Sequence, residues 1–382
     1  MFVVLSGAHQ NAGDYLITER ARDLLKRFAP GEELVQFPAA ARLDEHLPEI
    51  NRSRGIIILG GPGCRPNMYP RVYPLAEDLN AIRCPVFLLG SGWKARDASP
   101  AAIKGYKYDR RSLALLSRIA STRAGVSVRD HGTRHALRHN GVENVHVTGC
   151  PAWYDLECMG RPYVPPTSLT KLCFTPPVSA GLRQQGVAAA KEMAKLLPGV
   201  EKYACFHHGF AYLGRSGNEA FFQDQRQLRS ALSSLGYQCV DLSGSQAFGF
   251  YDDCSIHVGY RVHAHISMLS RRRTSFLLYE DARGFGVNDA LGLPGVPGFA
   301  PRSEAQRKHR LLAKLKWQRR PGSHGPNPHA IEQLHGLLER ELASGFASFR
   351  GYPAVIDHYY SKMSTFIENV LSHEAIHTRP SH

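Results

Sequence analysis

The sequence predicts an α/β protein of two doubly wound domains facing each other across a cleft, with a C-terminal helical extension. Three observations carry that reading. Short apolar runs ending in glycine or a polar residue recur along the chain, each followed by a stretch with helical periodicity. The pattern breaks at the proline-rich GRPYVPPTS, 160–168, and then starts again. At 382 residues the chain is too long for one ordinary core, and 43% hydrophobic residues are enough to build two.

In the first domain, taken as residues 1–165, the runs are FVVLSG (2–7), GIIILGG (55–61), CPVFLLGSG (84–92), AGVSVRD (124–130) and NVHVTG (144–149). Continuous apolar runs of this length suit parallel strands covered on both faces. YLITERARDLLKRF and HGTRHALRHNG between them have the spacing of amphipathic helices. The second domain, 166–300, repeats the alternation with KLCFT from 171, KYACFHH from 202, YQCVDLS from 237, SIHVGYR from 255 and TSFLLYED from 274. Residues 301–382 hold a basic segment, EAQRKHRLLAKLKWQRR, a breaker, PGSHGPNP, and the helix-like HAIEQLHGLLEREL.

Lys and Arg number 47 against 33 Asp and Glu, a net charge of +14. That sign favours anionic partners such as phosphates, lipid headgroups, acidic glycans or nucleic acid. No nucleic-acid motif accompanies the charge, so nucleic acid is not an expected partner. The eight cysteines form no CxxC pair and several sit inside apolar runs, which predicts buried, reduced thiols. The N-terminal MFVVLSGAHQNAGD has no basic leader, and no run is long enough to span a bilayer, so a cytoplasmic protein is expected.

Ligands of open α/β sheets bind beyond the carboxyl ends of the strands. The polar residues there are GAHQNAGD, GGPG, GSGW, VRD (128–130), TGCPA (148–152), HHG (207–209) and GYRVHAH. Glycine-bearing turns can offer backbone N–H groups to an oxyanion, and they are also the ordinary way to make a tight turn into a helix.

Asn-x-Gly-Asp (Asn11–Asp14), the turn LGGPG, Ser-x-Arg-Asp (Ser127–Asp130), Gly-Cys-Pro-Ala (149–152) and Arg-x-His-Ala (Arg261–Ala264) occur in that order. The ordered set, over roughly three quarters of the chain, resembles the polysaccharide pyruvyl transferase family. The resemblance implies two Rossmann-like domains arranged as in GT-B glycosyltransferases. It also implies transfer of a pyruvyl (ketal) group from phosphoenolpyruvate to a sugar of a glycan or lipid-linked oligosaccharide, with no cofactor besides that co-substrate. Arg129, Arg261 and His263 fall on family positions associated with donor binding and acid catalysis. Where the family commonly carries Tyr-Asp-x-Lys, this chain reads YEDARGF from Tyr279, and Arg283 is the nearest cation.

The donor chemistry asks for such residues. Guanidinium forks match a carboxylate and a phosphate on one small frame, so Arg129 from one domain and Arg261 from the other would hold the donor across the cleft, joined by Arg283, Asn11 and Gly13. His263 is the expected general acid. Asp14 either accepts or orients a sugar hydroxyl or caps the helix that follows it. His207 and His208 either face the acceptor or lie in a solvated loop. His265 is read as a core histidine, Cys150 as a packing residue, and Trp153 and Tyr154 as a sugar platform or a closure of the linker. His257, His263 and His265 lack a carboxylate or cysteine at supporting spacing, so no metal is expected. The Arg run 271–273 reads as an exposed helix end. The basic segment 302–320 either lies peripherally on an anionic membrane face or braces the domains. Two rivals remain: a GT-B glycosyltransferase whose cleft takes a nucleotide-sugar, and a basic nucleic-acid-binding protein.

Overall fold

Ile- and Val-rich runs that can be buried on both faces become the strands of two parallel sheets in the computed structural model, which describes residues 1–211, 219–301 and 324–373. The first sheet holds β1 (Phe2–Ser6), β2 (Leu34–Pro38), β3 (Ile56–Leu59), β4 (Val86–Ser91), β5 (Val126–Val128) and β6 (Val145–Val147), in the order β2-β1-β3-β4-β5-β6. The second holds β7 (Lys171–Thr175), β8 (Glu201–Phe206), β9 (Gln238–Asp241), β10 (Ile256–Gly259), β11 (Thr274–Tyr279) and β12 (Val296–Pro297), in the order β12-β11-β10-β7-β8-β9. Inner strands β1, β3, β4 and β10 are buried along their whole length. The edge strand β2, LVQFP, is only half buried and carries Gln36, so it shows no continuous apolar run.

The helices are α1 (Ala12–Phe28), α2 (Leu47–Ile50), α3 (Pro100–Gly105), α4 (Arg110–Ala120), α5 (His131–Arg138), α6 (Arg183–Leu196), α7 (Glu219–Ser234), α8 (Val262–Ser270), α9 (Ala282–Leu291), α10 (Ala330–Ala343) and α11 (Tyr352–Leu371). In α1 the residues Leu16, Ile17, Leu24 and Leu25 make a buried stripe, and Lys26 and Arg27 complement the partial negative charge of its last turn. α10 docks on the second lobe, where His335 Nδ1 meets Glu192 at 2.8 Å. α11 ties the lobes together: Tyr359 pairs with His131 of the first at 2.9 Å, and Asp357 accepts from Arg272 of the second at 2.5 Å. No helix among the described residues is long and apolar enough to cross a membrane.

Strand order reverses between β1 and β3 in the first sheet and between β7 and β10 in the second. Such reversals leave a crevice at the carboxyl ends of the flanking strands, because successive crossovers leave on opposite faces. α1 starts at the first crevice and α8 at the second, so the fold itself brings Asn11–Asp14 and Arg261–His263 toward one another.

Two expectations are corrected. Cys173 of β7 and Cys254 form a disulfide, while the other cysteines are free. They are separated by 81 residues in sequence, but β7 and β10 are hydrogen-bonded neighbours, and Cys254 lies just ahead of β10. The Arg run 271–273 is not a uniformly exposed end either. Arg272 turns the chain at φ 60° and is 6% exposed, because its guanidinium reaches inward to Asp357. The basic segment 302–320 lies outside the described residues.

Candidate active site between the two lobes

A cleft of about 710 Å³ opens between the two crevices. The first lobe contributes Asn11, Asp14, Arg65, Lys94 and Arg96, and the second contributes His208, Arg261, His263, Glu280, Asp281 and Arg283. Asn11, Arg261 and Asp281 are the N-cap residues of α1, α8 and α9, so three helices present their N-terminal ends to the same space. Unpaired N–H groups at helix starts carry partial positive charge and favour anions.

Charge in the cleft is unbalanced. Asp281 binds Arg283 with both oxygens, at 2.9 Å to Nε and 2.7 Å to Nη2. Arg65, Lys94, Arg96 and Arg261 make no ion pair with a carboxylate among the described residues. Burial, then the nearby Arg283 and Arg65 charges, push the Lys94 ammonium down. Burial raises Asp14 despite its bond from Asn11 at 3.0 Å and the Arg261 and Arg283 charges. Glu280 is also raised by burial, although it accepts from the N–H groups of Val178 and Ser179 at 2.8 and 2.9 Å. Burial thus raises Asp14 and Glu280, whereas at Asp281 burial is outweighed by the Arg283 charge and hydrogen bonds, which lower it.

His263 sits at the meeting point of the lobes, and a Cβ built on Gly13 would fall 2.0 Å from its Nδ1. Burial, then Arg283, Arg129 and Arg261, lower the imidazole to about 3, so it is neutral at physiological pH. Arg261 Nη2 lies 3.2 Å from Asn11 Oδ1 and 3.2 Å from His208 Nε2. Guanidinium only donates, so His208 Nε2 accepts and the ring is neutral, in keeping with the value of about 3 that burial and Arg261 impose.

Of the residues singled out in the sequence, Asn11, Asp14, His208, Arg261, His263 and Arg283 line this cleft, and Gly13 makes room for the His263 ring. Asp14 does not cap α1: Asn11 is the N-cap, its side chain makes no capping bond, and Asp14 accepts from Asn11 Nδ2 instead. Arg129 does not line the cleft. It is 3% exposed, with Nε 3.3 Å from Asp130 and Nη2 donating to the Trp93 carbonyl at 3.2 Å, and it reaches the site only through its field on His263 and Asp281. Asp130 caps α5 through Thr133 N at 2.7 Å, which draws the Ser-x-Arg-Asp turn inward. His207 is likewise buried behind His208, paired with Tyr251 Oη at 2.7 Å.

Trp153 and Tyr154 are fully buried and offer no sugar platform. Burial pushes the Cys150 thiol up to about 11, the behaviour of a packing residue. Among the described residues no group of three His, Cys, Asp or Glu side chains is placed to hold a metal ion. Arg65, Lys94, Arg96 and Glu280 were not anticipated. A signal existed for three of them: Arg65 follows the turn GGPG, and Lys94 and Arg96 follow GSGW, both strand ends already recognised.

A second cavity, of about 310 Å³, adjoins the cleft at the ends of β1, β2 and β3 and shares Asp14, Pro62 and Arg65 with it. Its wall is largely apolar, with Ile17, Leu59, Val72 and Tyr73.

A family profile described as polysaccharide pyruvyl transferase matches residues 11–267, more than half of the chain. No curated protein matches it. Among solved structures, a Listeria monocytogenes protein described as a UDP-N-acetylglucosamine 2-epimerase aligns with TM-score 0.54 at 8% identity, over 94% of this chain and 93% of that one. Anabaena Alr3699/HepE, in complex with UDP and glucose, aligns with TM-score 0.50 at 10% identity, over 97% of this chain and 99% of its own. S. aureus MnaA with UDP gives TM-score 0.50 at 8% identity, over 100% and 98%. At such identities the likeness concerns the fold alone: two Rossmann-like lobes in the GT-B arrangement.

Proposed function

We propose, since the chain belongs to the polysaccharide pyruvyl transferase family, that it transfers a pyruvyl group from phosphoenolpyruvate to two hydroxyls of a sugar, on a glycan or a lipid-linked oligosaccharide, and releases phosphate. The observation that supports this most directly is the set of cations without carboxylate partners, Arg65, Lys94, Arg96 and Arg261, around a buried neutral histidine. A donor carrying a carboxylate and a phosphate on three carbons needs several fixed cations, and guanidinium groups bind both by paired hydrogen bonds.

In the free enzyme His263 is neutral, because burial and three arginine charges disfavour imidazolium. A bound donor offsets those charges, so His263 takes up a proton as the donor arrives. The imidazolium then protonates the methylene carbon, and positive charge develops on the adjacent carbon. An acceptor hydroxyl in the smaller cavity attacks that carbon as Asp14, whose raised pKa suits a base, takes its proton. Phosphate leaves, and a second hydroxyl closes the ketal. Of the two hydroxyl protons displaced, one is matched by the proton in the new methyl group and the other departs with phosphate.

The test is phosphate release from phosphoenolpyruvate with a panel of hexoses and lipid-linked oligosaccharides, alongside UDP-glucose as the competing donor. Wild type is expected to turn over phosphoenolpyruvate only. His263→Ala is expected to bind it more weakly and to lose release by about 100-fold or more. Turnover of UDP-glucose without turnover of phosphoenolpyruvate would replace this reading with that of a glycosyltransferase.

A further inference from the structure

At the other end of α8 from the cleft lies a cavity of about 330 Å³, lined by Arg161, Arg271, Arg272 and Arg273 together with Cys158 and Cys254. Arg161 belongs to the connection between the two sheets, and the other three arginines follow the last turn of α8. Carboxylates answer only part of this charge. Arg271 meets Asp252 at 3.3 Å and Asp155 at 3.7 Å, but Asp155 is shared with Arg20. Arg272 meets Asp357 at 2.5 Å. Arg161 and Arg273 contact no carboxylate among the described residues.

Cations after a helix are favoured by its partial negative end, which accounts for Arg271 and Arg273. It does not account for Arg272, whose side chain is 4% exposed and whose Nη1 is buried with no hydrogen-bond partner among the described residues. Buried polar groups are seldom left unpaired, because the desolvation they suffer goes uncompensated. Arg272 turns inward instead, and its Nε donates to the Arg161 carbonyl at 3.1 Å, which brings the linker to the same cavity.

We propose that this cavity binds a phosphate group, held by Arg161 and Arg273, whose guanidinium groups meet no carboxylate among the described residues. Guanidinium N–H groups from two segments match the oxygens of a phosphomonoester better than a carboxylate's two. A phosphate there fastens the connection between the lobes to the end of α8. The group comes either from free phosphate in solution or from a lipid headgroup, and the chemistry is the same.

The inference does not rest on the donor proposed for the cleft. Isothermal titration of the full chain with inorganic phosphate, in the Arg261→Gln background that weakens the cleft, is expected to give one equivalent per chain. Adding Arg161→Gln and Arg273→Gln is expected to lower its affinity at least ~10-fold. Neither residue has an ion-pair partner to strand, and Arg273 gives up only its bond to the Cys254 carbonyl at 3.1 Å, so the fold is retained and these two substitutions alone leave phosphate release in the transfer assay unchanged. Sedimentation with phosphatidylcholine vesicles, with or without phosphatidic acid, separates the sources: binding that needs phosphatidic acid and is lost in the Arg161/Arg273 variant assigns the headgroup, and titration alone assigns free phosphate. Phosphate and vesicle binding both unchanged by the Arg161/Arg273 substitutions would overturn the proposal.

Discussion

Gly13 and His263 are 250 positions apart in sequence and compete for the same few ångströms at the lobe boundary. Gly13 is the second residue of α1 and its φ lies outside the left-handed range, so the backbone there accepts alanine. Only the imidazole objects, since a methyl group 2.0 Å from Nδ1 cannot coexist with it. Gly13→Ala is therefore expected to fold normally, to shift Tm by only a few degrees, and to reduce phosphate release about 100-fold by displacing the ring. The decisive measurement is a double-mutant cycle: in a His263→Ala background the same change should have almost no further effect. Independent, additive losses would mean that Gly13 acts elsewhere.

At the scale of elements, α8 is fixed to its sheet by a buried polar chain whose direction can be worked out. Asn288 gives its Nδ2 to the Pro294 carbonyl at 2.8 Å, so its Oδ1 accepts from His265 Nε2, also at 2.8 Å. His265 is neutral, lowered to about 3 by burial, so its Nδ1 must accept the Ser275 hydroxyl proton at 2.7 Å. Ser275 Oγ then accepts from His257 Nδ1 at 2.7 Å, and His257 Nε2 accepts from Thr175 Oγ1 at 2.8 Å. That leaves Thr175 Oγ1 free to accept the backbone N–H of Arg261 at 3.2 Å, the residue that opens α8 into the cleft. Ser275→Ala would leave two buried imidazole nitrogens unpaired, at about 1–3 kcal/mol each. A clear fall in Tm is expected from thermal denaturation, with recovery in Ser275→Thr; an unchanged Tm for the alanine variant would show that the chain carries no stability. This network also marks how far the sequence could be read. His265 was recognisable as a core residue, because an i, i+2 partner of His263 points away once the chain turns helical. Its partners were not, since Ser275 and Asn288 reach it through β11 and α9 pairing that no local pattern encodes. The same limit applies to Arg129, whose strand-end position was legible but whose inward turn depends on Asp130 capping α5. It applies again to β2, an edge strand without an apolar run, and to Cys173 and Cys254, which only the order of the second sheet makes neighbours.

For the whole molecule, the buried histidines set the response to acid. His207, His208, His257, His263 and His265 all have folded-state pKa values lowered by burial, with His208, His263 and His265 near 3, against an ordinary value of 6.5. The unfolded chain therefore binds protons below 6.5 that the folded chain refuses, and the linkage sign follows: stability is complete above pH 6.5 and falls as pH drops through 6.5 toward 3. Each such histidine contributes about 1.4 kcal/mol per pH unit within that window. Asp14 and Glu280, raised by burial, act in the opposite sense at lower pH, because their folded forms take protons more readily than the unfolded chain does. Glu19 is raised as well, but His131, His135 and His146 are lowered like the five buried histidines, so the histidines outweigh the raised carboxyls and denaturant midpoints are expected to fall steeply from pH 6.5 to 5. Saturating phosphoenolpyruvate should lessen that slope by about one proton if His263 is protonated in the complex, and calorimetry at pH 7.5 in buffers of different ionisation enthalpy should register an uptake of about one proton on binding. A slope and a binding heat both indifferent to the donor and buffer would leave His263 neutral throughout and remove it as the acid.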